Sequence, residues 1–234
     1  MNPLYLQDCY AKEFEATVES VTDGKFVVLD RTVFYPNSGG QPHDIGKLIR
    51  EGKEYPVVFT GKIGGKISHE VENCDLKAGD RVTGIIDWSR RYLFMKYHTS
   101  CHILSAVIHD ETGAMISGNQ IGEEKTRVDF NLKDFDRDQI NSYEEKINAI
   151  IDRNIDVVID ILPRDEAFAI PEVVKLRDAF PPDVQEIRVI TIGDVDRQAC
   201  GGTHVKNTGE IPHIKIMKAE NKGKNNRRIY FSFA

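Results

Sequence analysis

Near Trp88 the chain changes its pattern, and that change restricts what its 234 residues can build. Before it come short β-rich runs at Phe14 to Val21, Lys25 to Val33, Ile45 to Glu51, Tyr55 to Thr60 and Arg81 to Trp88. Turn residues divide them at Asp23-Gly24, Gly39-Gly40, Glu51-Gly52, Gly64-Gly65 and Ala78-Gly79-Asp80. Strands so short and so regularly spaced predict a small barrel or sandwich rather than a parallel sheet.

After Trp88 the period lengthens. Ser89 can cap a helix that runs to Thr112-Gly113, with Leu93, Tyr97, Ile103, Leu104, Val107 and Ile108 at helical spacing. Strands are expected at Ala114 to Ile121 and Arg127 to Leu132, then a second helix from Asp138 to Asn154. Asp156 to Leu162, Glu186 to Ile192, Ile214 to Ala219 and Arg228 to Phe233 are strand-like. The expected architecture is therefore mixed: a small β-barrel-like domain over residues 1–88, then an α+β domain over 89–234 with a sheet covered by two main helices. The path of the stretch bracketed by Pro171 and Pro181-Pro182 cannot be read from the sequence.

Composition narrows the function classes. With 40% hydrophobic and 29% charged residues, fibrous and disordered classes drop out. No run approaches the ~20 apolar residues of a membrane span. Met1 to Tyr10 lacks the charged start and apolar core of a secretory signal, so a cytoplasmic location is expected. Cys9, Cys74, Cys101 and Cys200 form no CxxC pair and are read as reduced thiols. Net charge is −6, yet Val205 to Ala234 carries seven Lys or Arg against two Glu. A solvated surface is the plain explanation of such a tail.

The sharpest motif is His98-Thr99-Ser100-Cys101-His102 together with Cys200-Gly201-Gly202-Thr203-His204. Residues i and i+4 share a helix face, so His98 and His102 can aim at one ion. The glycines of the second motif predict a loop that wraps Cys200 and His204 around the same ion. Three imidazoles and one thiolate favour Zn²⁺ over hard cations. Cys101 could reach the same ion, but small buried filler is the preferred reading for it, as for Cys9 and Cys74. His43, His69, His109 and His213 have no comparable pattern. Four protein ligands are the signature of a closed structural site, whereas a catalytic one keeps a position open, and the sequence leaves both possible.

Residues 34–46 read FYPNSGGQPHDIG, a tight turn with Gln41 beside Gly39 and Gly40 and without the form of a phosphate loop. With HTSCH, CGGTH, Thr208-Gly209-Glu210-Ile211 and Arg227-Arg228-Ile229 in this order, the chain resembles the freestanding alanyl-tRNA editing proteins of the AlaX family, medium-length type. It also resembles the editing region of alanyl-tRNA synthetase. The resemblance implies a glycine-motif barrel followed by the zinc-bearing domain shared with threonyl-tRNA synthetase. It implies a trans-acting deacylase of tRNA(Ala) mischarged with serine, with glycine as a second candidate. Zinc would be held by His98, His102, Cys200 and His204. Substrate reading falls to Gly39, Gly40, Gln41, Thr99, Asn119 and Gln120 as candidates, and acceptor-stem contact to Lys218, Lys222, Lys224, Arg227 and Arg228. These motifs offer no obvious carboxylate as a general base. A zinc-stabilised RNA-binding module without catalysis and a small-molecule metallohydrolase are the competing readings.

Overall fold

The computed structural model describes residues 2–133, 137–174 and 181–234. It divides into two compact units, Met1–Met95 and Lys96–Ala234.

In the first unit, β1 (Asn2–Pro3) is followed by β2 (Glu13–Thr22), β3 (Phe26–Leu29), β4 (Arg31–Thr32), β5 (Gly46–Arg50), β6 (Lys53–Ile63), β7 (Lys66–Val71) and β8 (Arg81–Ile86). Strands β2-β3-β7-β6-β5-β8 form a closed barrel, and β1 pairs parallel with β4. The barrel, not the sandwich, is realised, and closure removes the free edges that a small sheet would expose. The hairpin turns at Glu51-Gly52 and Gly64-Gly65 hold both central residues at positive φ, the conformation that matches strand twist. Alternation carries Val82, Gly84 and Ile86 inward, where Phe14, Leu29, Leu48 and Val57 complete the core. Gly84 is required: a Cβ there would lie 2.2 Å from the ring of Phe14.

Strand β7 escapes the sequence reading, because Ser68 and His69 occupy buried positions where apolar residues are expected. His69 Nδ1 lies 2.9 Å from the Val27 carbonyl and Nε2 lies 2.9 Å from the Thr32 hydroxyl. The carbonyl can only accept, so Nδ1 carries the proton and Nε2 accepts from Thr32. Burial pushes His69 down to about 4, against the weaker opposing pull of the Val27 carbonyl.

Helix α1 (Trp88–Thr112) begins in the first unit and continues into the second. Its cap is Asp87, whose carboxylate accepts from the Arg90 N–H at 3.1 Å; Ser89 lies inside the first turn. Gly113, at φ +71°, closes the other end with its N–H on the His109 carbonyl. From Tyr97 to Ile108 the helix is buried around its whole circumference, so the single apolar face read from the sequence is too narrow.

The second unit continues with β9 (Ile116–Gln120), β10 (Thr126–Phe130), α2 (Arg137–Asp152), β11 (Val157–Pro163), α3 (Arg164–Phe168), α4 (Pro171–Val174), β12 (Glu186–Ile192), β13 (Asp196–Ala199), β14 (Ile214–Asn221) and β15 (Arg227–Phe233). Instead of one sheet, the described residues of this unit form two, ordered β14-β15-β10-β9 and β11-β12-β13. The β14 edge is covered by α2: Asn148 exchanges hydrogen bonds with the Ile214 backbone, and Glu144 accepts from the Ile216 N–H. Of the stretch bracketed by Pro171 and Pro181-Pro182, residues 175–180 lie outside the described residues. No helix among the described residues is long and apolar enough to cross a membrane.

Candidate metal centre

Helical geometry puts His98 and His102 one turn apart on α1, and the loop after β13 brings Cys200 and His204 to them. One ligand atom from each of the four lies within 4.8 Å of all the others. Cys200 Sγ is 3.5 Å from His98 Nε2 and 3.4 Å from His204 Nε2. The loop is tied down where it starts, by reciprocal bonds between Arg188 and the Cys200 backbone. Gly202 donates its N–H to the Cys200 sulfur at 3.4 Å. A Cβ at Gly202 would stand 1.9 Å from His98 Cε1, so the loop can close over the imidazole only with glycine there.

The far nitrogens of two of these imidazoles are engaged. His102 Nδ1 faces Asp196 Oδ2 at 2.7 Å, and Asp196 Oδ1 accepts from Gln198 Nε2 at 2.8 Å. His204 Nδ1 lies 3.1 Å from the Thr99 hydroxyl, which also accepts from the Val205 N–H. Such partners fix ring orientation and leave the opposite nitrogens aimed at a common point.

The electrostatics favour a thiolate at Cys200. Burial opposes ionisation of Cys200, but the imidazoles of His98 and His204, with hydrogen bonds from His102 and His204, hold its thiol well below the usual range. Burial alone would lower His102, yet Asp196 and Cys200 raise it to about 10. His204 is pushed down to about 3 by burial, then by the charge of His98. Cys101 is raised by burial and lies outside the four-ligand group. A half-buried thiolate ringed by imidazoles can hold a metal ion.

Beside this centre opens a cleft of about 650 Å³, lined among others by His98, His102, Cys200, Asn119, Met115, Ile116, Asp196 and Arg197. The period of two in β9 separates a pair of expected substrate contacts. Asn119 lines the cleft, whereas Gln120 pairs with Arg127 and is exposed. Thr99 is fully buried with its hydroxyl on His204.

The glycine motif belongs to the first unit. Gly39 and Gly40 have φ +57° and +80°, and Gln41, fully buried, exchanges backbone bonds with Ser38. The motif is anchored by Asp44, which accepts from the Tyr35 N–H at 2.7 Å and pairs with Arg91, both side chains being fully buried. Arg91 also donates to the carbonyls of Cys9 at 3.0 Å and Val33 at 2.5 Å.

The C-terminal cations differ among themselves. Lys218 and Lys222 both pair with Glu220, and Arg228 makes a two-pronged contact with Asp129. Arg227 is buried, and its guanidinium holds the β14–β15 turn through Asn221, Gly223 and Asn226. Lys224 is exposed. Sequence reasoning missed Asp196, Gln198 and Arg188. Their only signal is position, in the strands that lead to and flank the Cys200 loop.

Comparison with known proteins agrees with this layout. The family model described as threonyl and alanyl tRNA synthetase second additional domain matches residues 187–230, and that for class II (A) tRNA synthetases matches residues 6–90. An alanyl-tRNA editing protein AlaX-M of Methanosarcina acetivorans is 52% identical over 238 residues, covering 98% of this chain and 97% of the relative. The AlaX-M protein of Saccharolobus solfataricus is 42% identical over 232 residues, covering 98% and 97%. An alanine–tRNA ligase of Pyrobaculum aerophilum is also 42% identical, but its match takes in 93% of this chain and 25% of the ligase. Similarity over the full length of freestanding relatives, at this identity, means that the chain belongs to the AlaX-M family of alanyl-tRNA editing proteins.

Proposed function

We propose that this protein is a zinc-dependent hydrolase that acts in trans, in the cytoplasm, on tRNA(Ala) carrying serine, with glycine as a second substrate. The observation that carries the reading is the four-ligand centre beside a cleft large enough for an aminoacyl adenosine, in a chain that matches freestanding editing proteins from end to end. In domain terms, residues 1–88 supply the glycine-motif barrel and residues 89–234 the editing domain.

The donor set suits zinc, because thiolate and imidazole disfavour Mg²⁺ and Ca²⁺ and accept a tetrahedral ion. His98, His102, Cys200 and His204 would hold it, and once bound it supplies Lewis acidity towards the ester carbonyl. The remaining work falls to the chain. Asp196 fixes the His102 ring and Thr99 fixes the His204 ring. Asn119, on the cleft wall, offers a donor and an acceptor to a seryl hydroxyl.

This chemistry answers a selection problem. An activation pocket built for alanine cannot strongly reject glycine or serine, because one methyl or one added hydroxyl gives little discrimination. A second site that requires a polar contact can accept serine and spare alanine. Gly39, Gly40 and Gln41 complete the proposed substrate contacts, and Lys218, Lys222, Lys224 and Arg228 the acceptor-stem contacts. Arg227 is omitted because the hairpin consumes it.

Deacylation of Ser-tRNA(Ala), Gly-tRNA(Ala) and Ala-tRNA(Ala) tests the reading, with His102→Ala as comparison. Rapid loss of serine with alanine spared, and a folded but inactive variant, is the expected result. Folded, zinc-loaded protein that hydrolyses none of the three would overturn it. The four-donor count favours the rival reading of a purely structural ion in an RNA-binding module. That rival requires the chelated protein to unfold, whereas the editing reading requires it to stay folded and lose activity.

A further inference from the structure

We infer that the polar face of the β14-β15-β10-β9 sheet is the platform on which the double-stranded acceptor stem of the tRNA rests, and that the unpaired 3′ end turns over the β9 edge into the cleft. The inference rests on the proposed editing function and extends it to a surface.

Register fixes what each face carries. On one face Val128, Phe130, Ile229 and Phe231 are fully buried, and Tyr97 of α1 packs against Phe231 and Phe233. On the other, Arg127 lies opposite Tyr230 and Gln120, while Lys218 is paired with Tyr230 across β14 and β15. Arg228 and Asp129 form the neighbouring pair on the same face. A one-sided antiparallel sheet ordinarily shows a polar outer face, so polarity alone means little.

Two observations go further. The Nε of Arg127 is buried and has no hydrogen-bond partner among the described residues. That nitrogen is out of reach of solvent, but the half-buried Arg127 makes no carboxylate contact among the described residues, so its charge at this face is not neutralised. Lys125 has its ammonium 5.8 Å from the Tyr230 ring centroid and makes no carboxylate contact among the described residues. Of the cations on this face, Lys218 and Arg228 are paired with Glu220 and Asp129, whereas Lys125 and Arg127 make no carboxylate contact among the described residues.

The chemistry that fits is an RNA backbone. An A-form stem presents phosphates and 2′-hydroxyls across a wide, shallow groove, which lysines, arginines and a tyrosine hydroxyl can meet without reading bases. The position of β9 supplies the route to the metal centre. It is an edge strand, with Gln120 on the platform side and Asn119 lining the cleft. A single strand crossing that edge passes from one to the other.

The test uses the full chain with uncharged tRNA(Ala), followed by fluorescence anisotropy across a salt series. Lys125→Ala with Lys218→Ala should weaken binding about tenfold at ~0.1 M salt and reduce the salt slope by about 2, one unit for each phosphate no longer neutralised. Arg127→Gln and Tyr230→Ala should each weaken binding further. Hydrolysis of seryl-tRNA(Ala) relative to 3′-O-seryl adenosine should fall at least fivefold in the lysine pair variant, a shift that a folding defect would not produce. Unchanged affinity and slope in these variants would overturn the platform if wild-type protein binds and deacylates the tRNA. So would losses confined to Lys222→Glu and Lys224→Glu at the hairpin tip. Wild-type protein that neither binds tRNA(Ala) nor deacylates its seryl form would remove the editing reading itself.

Discussion

In the barrel unit the buried polar side chains complete one another. Arg91 and Asp44, both fully buried, satisfy each other and three backbone groups around the glycine motif. His69 is likewise closed, between the Val27 carbonyl and the Thr32 hydroxyl. In the second unit the outer nitrogens of His102 and His204 are engaged by Asp196 and Thr99, but the inner donors converge on one another around a thiolate. The first arrangement is finished by the fold, and the second presents four donors that could hold a cation.

That contrast can be broken from the barrel side first. Asp44→Ala leaves the Arg91 guanidinium buried without its carboxylate and should cost about 3–5 kcal/mol, measured by urea unfolding of the intact chain. Replacing both partners with apolar residues should cost much less, because no charge is then stranded.

Acid gives a second handle on the barrel. His69 is held down to about 4 in the folded state against an ordinary 6.5, so the unfolded chain takes the proton first as pH falls. Its contribution to pH dependence is absent above pH 6.5, and stability is lost between 6.5 and 4, up to roughly 3 kcal/mol. His69→Gln should flatten that part of the unfolding profile. An unaltered profile would mean that His69 is not the titrating group.

On the metal side, Asp196→Asn keeps the size of the side chain but removes the charge that orients His102. Zinc affinity should fall about 10–100-fold, measured by competition with a chromophoric chelator. Gln198→Ala, one hydrogen bond further out, should lower affinity less than about tenfold. If Gln198→Ala matched Asp196→Asn, the orientation of Asp196 and not its charge would be the controlling factor.

How much of this is visible in the sequence follows the same division. His98 and His102 are legible because a helix turn makes i and i+4 neighbours, and the glycines of the Cys200 loop announce close approach. The barrel strands are legible by alternation and turn chemistry, except β7, where Ser68 and His69 replace apolar residues. What stays hidden depends on long-range partners. Nothing local marks Arg91, in a run of two arginines, as buried against Asp44. Asp196 becomes significant only when β13 is placed beside α1. The strand period separates Asn119 from Gln120 in principle, yet which of them faces the cleft is decided by register with β10. The tail shows the limit most clearly: charge alone groups Arg227 with its neighbours, and only the fold turns it inward.

The most direct test of the account is the zinc content of purified protein, with unfolding and seryl-tRNA(Ala) deacylation followed before and after chelation. One zinc per chain is expected, and a chelated protein that keeps its secondary structure but loses deacylation until zinc is restored. Protein that lacks zinc yet deacylates, or that keeps full activity after complete chelation, would contradict it.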